Sequence, residues 1–131
     1  MSLEHGTPLD LGILVDASDT AVAKNWTKMK ALASSIVASF RISSSETHVG
    51  IVLFSRDAEI PLYFNTLQEN NLTKENVQKV LDKLKPMQGS SRFDVAMQLT
   101  EEELFNEANG MRIEIPKVRN VLFARINVAK S

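Results

Sequence analysis

Hydrophobic and polar positions follow two different periods along the chain, and each period predicts a different kind of element. Leu9 to Ala17, LDLGILVDA, is a mostly apolar run bounded by polar residues, as in a strand buried on both faces of a parallel sheet. Apolar residues then recur every three or four positions and predict an amphipathic helix from about Ala21 to Phe40. A second β-branched run, HVGIVLF, predicts a strand from His48 to Phe54.

The segment AEIPLYF, which follows that second strand, alternates apolar and polar positions but contains Pro61. Proline cannot donate a backbone hydrogen bond, so this strand belongs at the edge of the sheet. The intervening Ser55-Arg56-Asp57 is therefore predicted to be a hairpin turn into an antiparallel edge strand.

Two helices and one more strand are predicted in the second half. Thr73 is a good N-cap for a helix that ends before Pro86. Another helix is expected from about Arg92 to Ala108, with Asn109-Gly110 as its stop, and VRNVLFARINV is typical of a core strand.

The predicted order of elements, β-α-β-β-α-α-β, indicates an α/β fold. We expect an open, mostly parallel, doubly wound sheet with one antiparallel edge strand and helices on both faces. No internal repeat or linker is evident, so residues 9–131 are predicted to form one domain. Residues 1–8 are interpreted as a disordered or vector-derived lead-in.

Composition and charge narrow the classes of function. The 131 residues are 44% hydrophobic and 24% charged, which is ordinary for a globular domain that buries a core without disulfides. A net charge of −1, with scattered lysines and arginines, argues against nucleic acid as a partner. The longest apolar runs are too short to span a bilayer.

Candidate chemistry lies where the first strand ends, in the sequence DASDT. Ligands of open α/β sheets bind at the carboxyl ends of the strands, which is where Asp16 is expected. Asp16, Ser18 and Thr20 offer a carboxylate and two hydroxyls, hard oxygen ligands that suit Mg²⁺ or Mn²⁺. Nothing suits zinc, because the chain has no cysteine and its two histidines, His5 and His48, are far apart.

These residues resemble a known family. DASDT is similar to the Asp-x-Ser-x-Ser pattern that opens the metal-ion-dependent adhesion site (MIDAS) of von Willebrand factor type A domains. VGIVLFSRDAEIPLYF resembles that family's second strand and edge hairpin, and QGSSRFDVAMQLTEEELF its Gly-x-Thr segment. GMRIEIPKV is similar to the lead into the fourth strand in matrilin-like members, so the resemblance covers about Leu9 to Val118.

The resemblance implies a set of metal ligands and one departure from it. Asp16, Ser18 and Thr20 fall on the opening pattern, and Ser91 takes the threonine position of Gly-x-Thr. The family's fourth strand ends in Thr-Asp-Gly, whereas RNVLFARINVAKS contains no acid. One alignment places Asn127 at the position of that acid, as a candidate fifth ligand, and another places Ala124 there. With one carboxylate fewer, we expect Mg²⁺ or Mn²⁺ to be held weakly or not at all.

The family's chains continue past the fourth strand, whereas this sequence stops at Ser131. We therefore expect a shortened C-terminus, from truncation or splicing, and an exposed fourth-strand edge that a homodimer would cover.

The function implied by the resemblance is that of a non-enzymatic module. It would bind an acidic side chain of a protein partner through the cation, in the extracellular matrix or at the cell surface. Two sequons, at Asn25 and Asn71, are glycosylation candidates that fit secretion, with an intracellular location as the alternative.

Two other functions and a purely structural role compete with this one. The domain could be a metal-independent, self-associating scaffold. It could also be a haloacid-dehalogenase-like phosphatase with Asp16 as nucleophile, although Ser18 replaces that family's second aspartate. Finally, DASDT could be only a strand-to-helix turn, with Asp19 or Thr20 capping the helix.

Overall fold

The computed structural model describes residues 7–122, and its elements follow the predicted order. The strands are β1 (Asp10–Asp16), β2 (His48–Phe54), β3 (Ala58–Leu62) and β4 (Lys117–Leu122). The helices are α1 (Asp19–Ala38), α2 (Lys74–Lys83) and α3 (Phe93–Leu99). No helix within this described range is long and apolar enough to cross a membrane.

The four strands form one sheet in the order β3-β2-β1-β4. β1 is central and runs parallel to both β2 and β4, with Asp16 opposite Phe54 in the register. β3 is antiparallel to β2 and is the edge strand that contains Pro61, as predicted. The predicted open, mostly parallel sheet with one antiparallel edge strand is therefore confirmed.

Helices cover both faces of this sheet, so alternate residues of β1 enter two different cores. Leu11, Ile13 and Val15 pack with the buried faces of α1 and α2. Leu14 lies on the other face, in a cluster that includes Ala96 of α3 and the following Leu104. The apolar run of β1 thus reflects burial on both sides, as its sequence predicted.

Two glycines let the second face pack closely. Gly12 and Gly50 lie opposite each other on β1 and β2. A Cβ on Gly50 would come 2.5 Å from Cδ1 of Leu104, and one on Gly12 would come 3.1 Å from the Phe105 ring. The absence of side chains at these positions makes the space that Leu104 and Phe105 fill.

The predicted helix from Arg92 to Ala108 is only partly correct. Regular α-helix ends at Leu99, and Thr100–Leu104 forms a π-helical turn in which the amide of Phe105 donates to the carbonyl of Thr100 at 2.9 Å. The Thr100 hydroxyl donates to the Ala96 carbonyl at 2.7 Å, and such back-bonding competes with the regular helical pattern. A short 3₁₀ turn follows at Glu107–Asn109 and ends at Gly110, which has a φ of 102°.

The helix predicted from Ala21 to Phe40 begins earlier and is interrupted. Ser18 is its N-cap, so Asp19 and Thr20, which we considered as caps, lie in the first turn instead. Asn25 has φ −153° and ψ 30°, outside the helical range, so α1 consists of two helical pieces. Thr73 is the N-cap of α2, as predicted, and accepts from the amide of Asn76 at 3.1 Å.

Candidate functional site

The carboxylate of Asp16 lies at the carboxyl end of β1, in the middle of the sheet, and only 3% of the residue is exposed. Its Oδ1 accepts a hydrogen bond from the amide of Ser18 at 2.9 Å. Its Oδ2 accepts one from the hydroxyl of Ser91 at 2.7 Å, although Ser91 is 75 residues further along the chain. The fold thus brings together the two segments that the sequence singled out for oxygen ligands.

Ser91 reaches Asp16 because the loop after α2 is hydrogen-bonded to the end of β1. The amide of Met87 donates to the carbonyl of Ala17 at 2.9 Å, and the amide of Asp19 donates to the carbonyl of Gly89 at 3.0 Å. Gly89 has a φ of +110°, a conformation that glycine adopts without the steric cost of a side chain. The loop therefore runs across the top of β1 and presents Ser91 to it.

The same loop is hydrogen-bonded to the end of β2 through Ser55, a residue that the sequence predicts only as part of a hairpin turn. The Ser55 hydroxyl donates to the carbonyl of Gln88 at 3.0 Å, and its own carbonyl accepts from the amide of Arg92 at 2.8 Å. Its position in the sequence could have indicated it, because Ser55 directly follows a buried parallel strand. Asp16 is likewise the last residue of one.

The two hydroxyls of DASDT lie in different surroundings. Ser18 is 1% exposed and its Oγ accepts from the amide of Ala21 at 3.5 Å, a long N-cap hydrogen bond. Thr20 is exposed in the first turn of α1, and no hydrogen bond of its side chain is formed within residues 7–122. Asn127 and Ala124, the alternatives for the fourth-strand position, lie outside the described residues.

The donor atoms that are assembled fit a hard cation. They are carboxylate and hydroxyl oxygens, which Mg²⁺ and Mn²⁺ prefer. Because the Ser91 hydroxyl donates its hydrogen to Asp16, the lone pairs of its oxygen remain able to bind a cation. Between residues 7 and 122, no group of three or more acidic, histidine or cysteine side chains could hold a metal. The described cluster therefore supplies a single carboxylate, from Asp16.

A guanidinium next to the cluster is already engaged. Arg92 donates to both carboxylate oxygens of Asp94, at 2.9 and 2.7 Å, and both side chains are exposed. The hydrogen bond from Arg92 is the main cause that lowers the pKa of Asp94 to about 2. Arg92 therefore contributes little free positive charge beside Ser91.

Comparison with known proteins identifies the class. The von Willebrand factor type A domain matches residues 10–124, and the chain belongs to this family. This membership places the chain with non-enzymatic modules and not with the haloacid-dehalogenase-like phosphatases. The phosphatase hypothesis for Asp16 is therefore dropped.

Among curated relatives, the chain is similar to matrilins. It is 28% identical to mouse (Mus musculus) Matrilin-3 over 85% of this chain and 23% of that protein. It is 30% identical to chicken (Gallus gallus) Matrilin-1 over 86% of this chain and 22% of that protein. The chain thus spans about a quarter of the length of these relatives.

Solved structures show the same fold. Proximal thread matrix protein 1 from the mussel byssus, in a structure with a zinc-occupied MIDAS motif, matches with a TM-score of 0.79 and 21% identity. The match covers 92% of this chain and 29% of that one.

Proposed function

We propose that this domain is a protein-binding adhesion module that binds an acidic side chain of its partner through a divalent cation. Asp16, Ser18, Thr20 and Ser91 would hold the cation, with Asn127 as a fifth ligand if the alignment that places it at the missing acid is correct. The hydrogen bond of 2.7 Å between Ser91 and Asp16 carries the proposal, because it joins the two separated ligand segments at one point.

In this proposal the protein holds the oxygen ligands in place and neutralises only part of the charge of the bound cation. Asp16 is the charged ligand, and its buried carboxylate is oriented by Ser18 and Ser91. A bound divalent cation would supply an open coordination position with net positive charge, which suits a carboxylate from a partner. Mg²⁺ and Mn²⁺ fit the oxygen donors, and the zinc-occupied MIDAS of the mussel protein makes Zn²⁺ a third cation to test.

Thermal unfolding with and without Mg²⁺, Mn²⁺ or Zn²⁺ tests the site. A cation that binds only the folded protein stabilises it by about 2.7 kcal/mol at 100 times its Kd. We expect this stabilisation to disappear in Asp16→Asn, which keeps the shape of the side chain. It should persist in Asp82→Ala, a matched control on the exposed face of α2.

Ser91→Ala provides an independent measurement on the same site. Loss of this hydroxyl removes a proposed ligand and also the hydrogen bond that orients Asp16, so cation binding should weaken about 10- to 100-fold. Stabilisation that is equal in wild type, Asp16→Asn and Asp82→Ala would show that the cation binds elsewhere and would refute the proposal.

A metal-independent scaffold is the second candidate, and a specific observation favours it. The cluster of Asp16, Ser18 and Ser91 is already joined by hydrogen bonds and has only one carboxylate. Under this hypothesis the domain associates with itself through β4, the outer strand beside β1 in the described sheet. No stabilisation by any of the three cations, together with a concentration-dependent dimer in sedimentation equilibrium, would select the scaffold.

An extracellular setting is part of the proposal. The matrilin relatives support it, and so do the two sequons. Asn71 is exposed before α2, whereas Asn25 is half-buried within α1, so Asn71 is the better acceptor. Expression through a secretory pathway should give a glycosidase-sensitive mass shift that Asn71→Gln removes and Asn25→Gln largely retains.

A further inference from the structure

Arg56, in the hairpin between β2 and β3, lies against the loop that presents Ser91. A Cβ on Gly89 would be 3.3 Å from the Cβ of Arg56 and 3.7 Å from its Nε, so the Arg56 side chain runs along the Gly89 backbone. The Gly89 carbonyl accepts from the amide of Asp19, which follows Ser18. Arg56 thus lies beside the loop that connects to the candidate metal site through Gly89 and Asp19.

Arg56 carries a positive charge that no acidic side chain in the described part of the chain pairs with. The side chain is exposed, and none of the ion pairs within residues 7–122 includes it. Asp57 follows Arg56 in the sequence, and Asp19 is hydrogen-bonded to Gly89 beside it. Neither acid forms an ion pair with Arg56. Arg92, by contrast, is held in a two-hydrogen-bond pair by Asp94.

We propose that Arg56 is a specificity residue that binds a second acidic side chain of the same partner. The inference rests on the proposed function, because the first acidic side chain would bind at the cation held by Asp16. A guanidinium presents a planar set of donors that matches a carboxylate with two hydrogen bonds, so an exposed arginine without an ion pair among residues 7–122 is a suitable second anchor. The preferred partner is therefore a peptide segment with two nearby acidic side chains, not one.

Synthetic peptides test this inference on the whole chain. Fluorescence anisotropy in excess Mg²⁺ would compare peptides carrying two aspartates, separated by one to four residues, with matched peptides in which one aspartate is replaced by asparagine. Arg56→Gln should weaken the best diacidic peptide about tenfold, the loss expected for hydrogen bonds to a charged group. The same variant should leave the monoacidic peptides within about twofold of wild type.

Arg41→Gln is the matched control. Arg41 is also exposed, lies after the far end of α1 and is 3.9 Å from Glu46, so its removal should change neither affinity. Unchanged thermal unfolding of both arginine variants would show that they fold normally.

The outcomes separate this inference from the proposed function. Equal weakening of both kinds of peptide by Arg56→Gln, no weakening of either, or no binding by wild type at millimolar peptide would overturn the role of Arg56. None of these results affects stabilisation by Mg²⁺ and its loss in Asp16→Asn, which test the cation site alone. Peptide binding that survives in Asp16→Asn would instead refute the proposed function.

Discussion

Arg112 forms a partly buried ion pair with Asp10, the first residue of β1, at the other end of the strand from Asp16. Its Nη2 lies 2.7 Å from Oδ1 of Asp10, and its backbone amide donates to Oδ2 at 2.8 Å. The same guanidinium donates to the carbonyl of Leu9 at 2.8 Å, and Asp10 is 0% exposed. Arg112 therefore fastens the segment before β4 to the start of the central strand.

Removal of Arg112 should strongly destabilise the domain. Arg112→Ala leaves the Asp10 carboxylate buried without its counterion, which costs about 3–5 kcal/mol of unfolding free energy. Urea unfolding measures this loss, and Arg41→Ala, which removes an exposed arginine, is the control. Adding Asp10→Asn to Arg112→Ala should recover part of the stability, because the uncompensated charge is then gone. If the two arginine variants unfold alike, the pair does not stabilise the fold in this way.

A methyl group at Gly50 should be poorly tolerated. Gly50→Ala places a Cβ about where Leu104 now packs, and overpacking of this kind costs about 1–3 kcal/mol. Gly12→Ala should cost less, since its nearest contact is 3.1 Å and not 2.5 Å. Chemical denaturation of Gly50→Ala with Leu104→Val should show partial rescue, and purely additive losses would argue against a direct clash.

The elements whose sequence period matched their burial were predictable. β1, β2 and the Pro61 edge strand follow from local composition, because each buries a face that its own residues reveal. The π-helical turn was not predictable, since the Thr100 side chain competes with a pattern that otherwise continues. The ion pair of Asp10 with Arg112 joins residues that are 102 positions apart in the sequence, and the period of apolar residues carries no information about such a contact.

The candidate site, too, was predictable from the sequence only in part. Asp16 could be placed because it ends a buried strand, and Ser91 only because of the family resemblance. The contacts of Ser55 and Arg56 with the loop after α2 depend on the path of that loop, which no local pattern specifies.

His48 should make the domain less stable on the acid side of neutrality. Burial is the main cause that lowers the pKa of His48 below its ordinary 6.5, and Arg112 lowers it further, while the Ser44 carbonyl and Asp10 oppose them. Its Nε2 lies 2.9 Å from the Ser44 carbonyl, and its Nδ1 is buried without a partner in the described part of the chain. The unfolded chain therefore binds the proton more tightly than the folded one.

The sign follows from that difference. The contribution of His48 to the free energy of unfolding is fully present above pH 6.5. It is lost as the pH decreases from 6.5 through the lower pKa of the folded protein. Unfolding free energies between about pH 5 and 7.5 should show a smaller acid-side loss in His48→Gln than in wild type. An identical pH dependence in the two proteins would contradict this account.

The pairing of Arg92 with Asp94 can be read directly by titration. Carbon-detected NMR of the Asp94 carboxyl should give a pKa of about 2 in wild type and a clearly higher pKa in Arg92→Gln, because the largest cause of the lowering is then removed. Arg56→Gln should leave this pKa low, because Arg56 does not pair with Asp94. A raised Asp94 pKa in Arg56→Gln would mean that the two arginines share this acid.

The loop that presents Ser91 is held by two backbone hydrogen bonds, from the Met87 amide to the Ala17 carbonyl and from the Asp19 amide to the Gly89 carbonyl. Because it is already ordered, binding would lose little conformational entropy there, and the recognition surface is preorganised. Related ligands should then associate at similar rates, and their affinities should differ mainly in how long each stays bound.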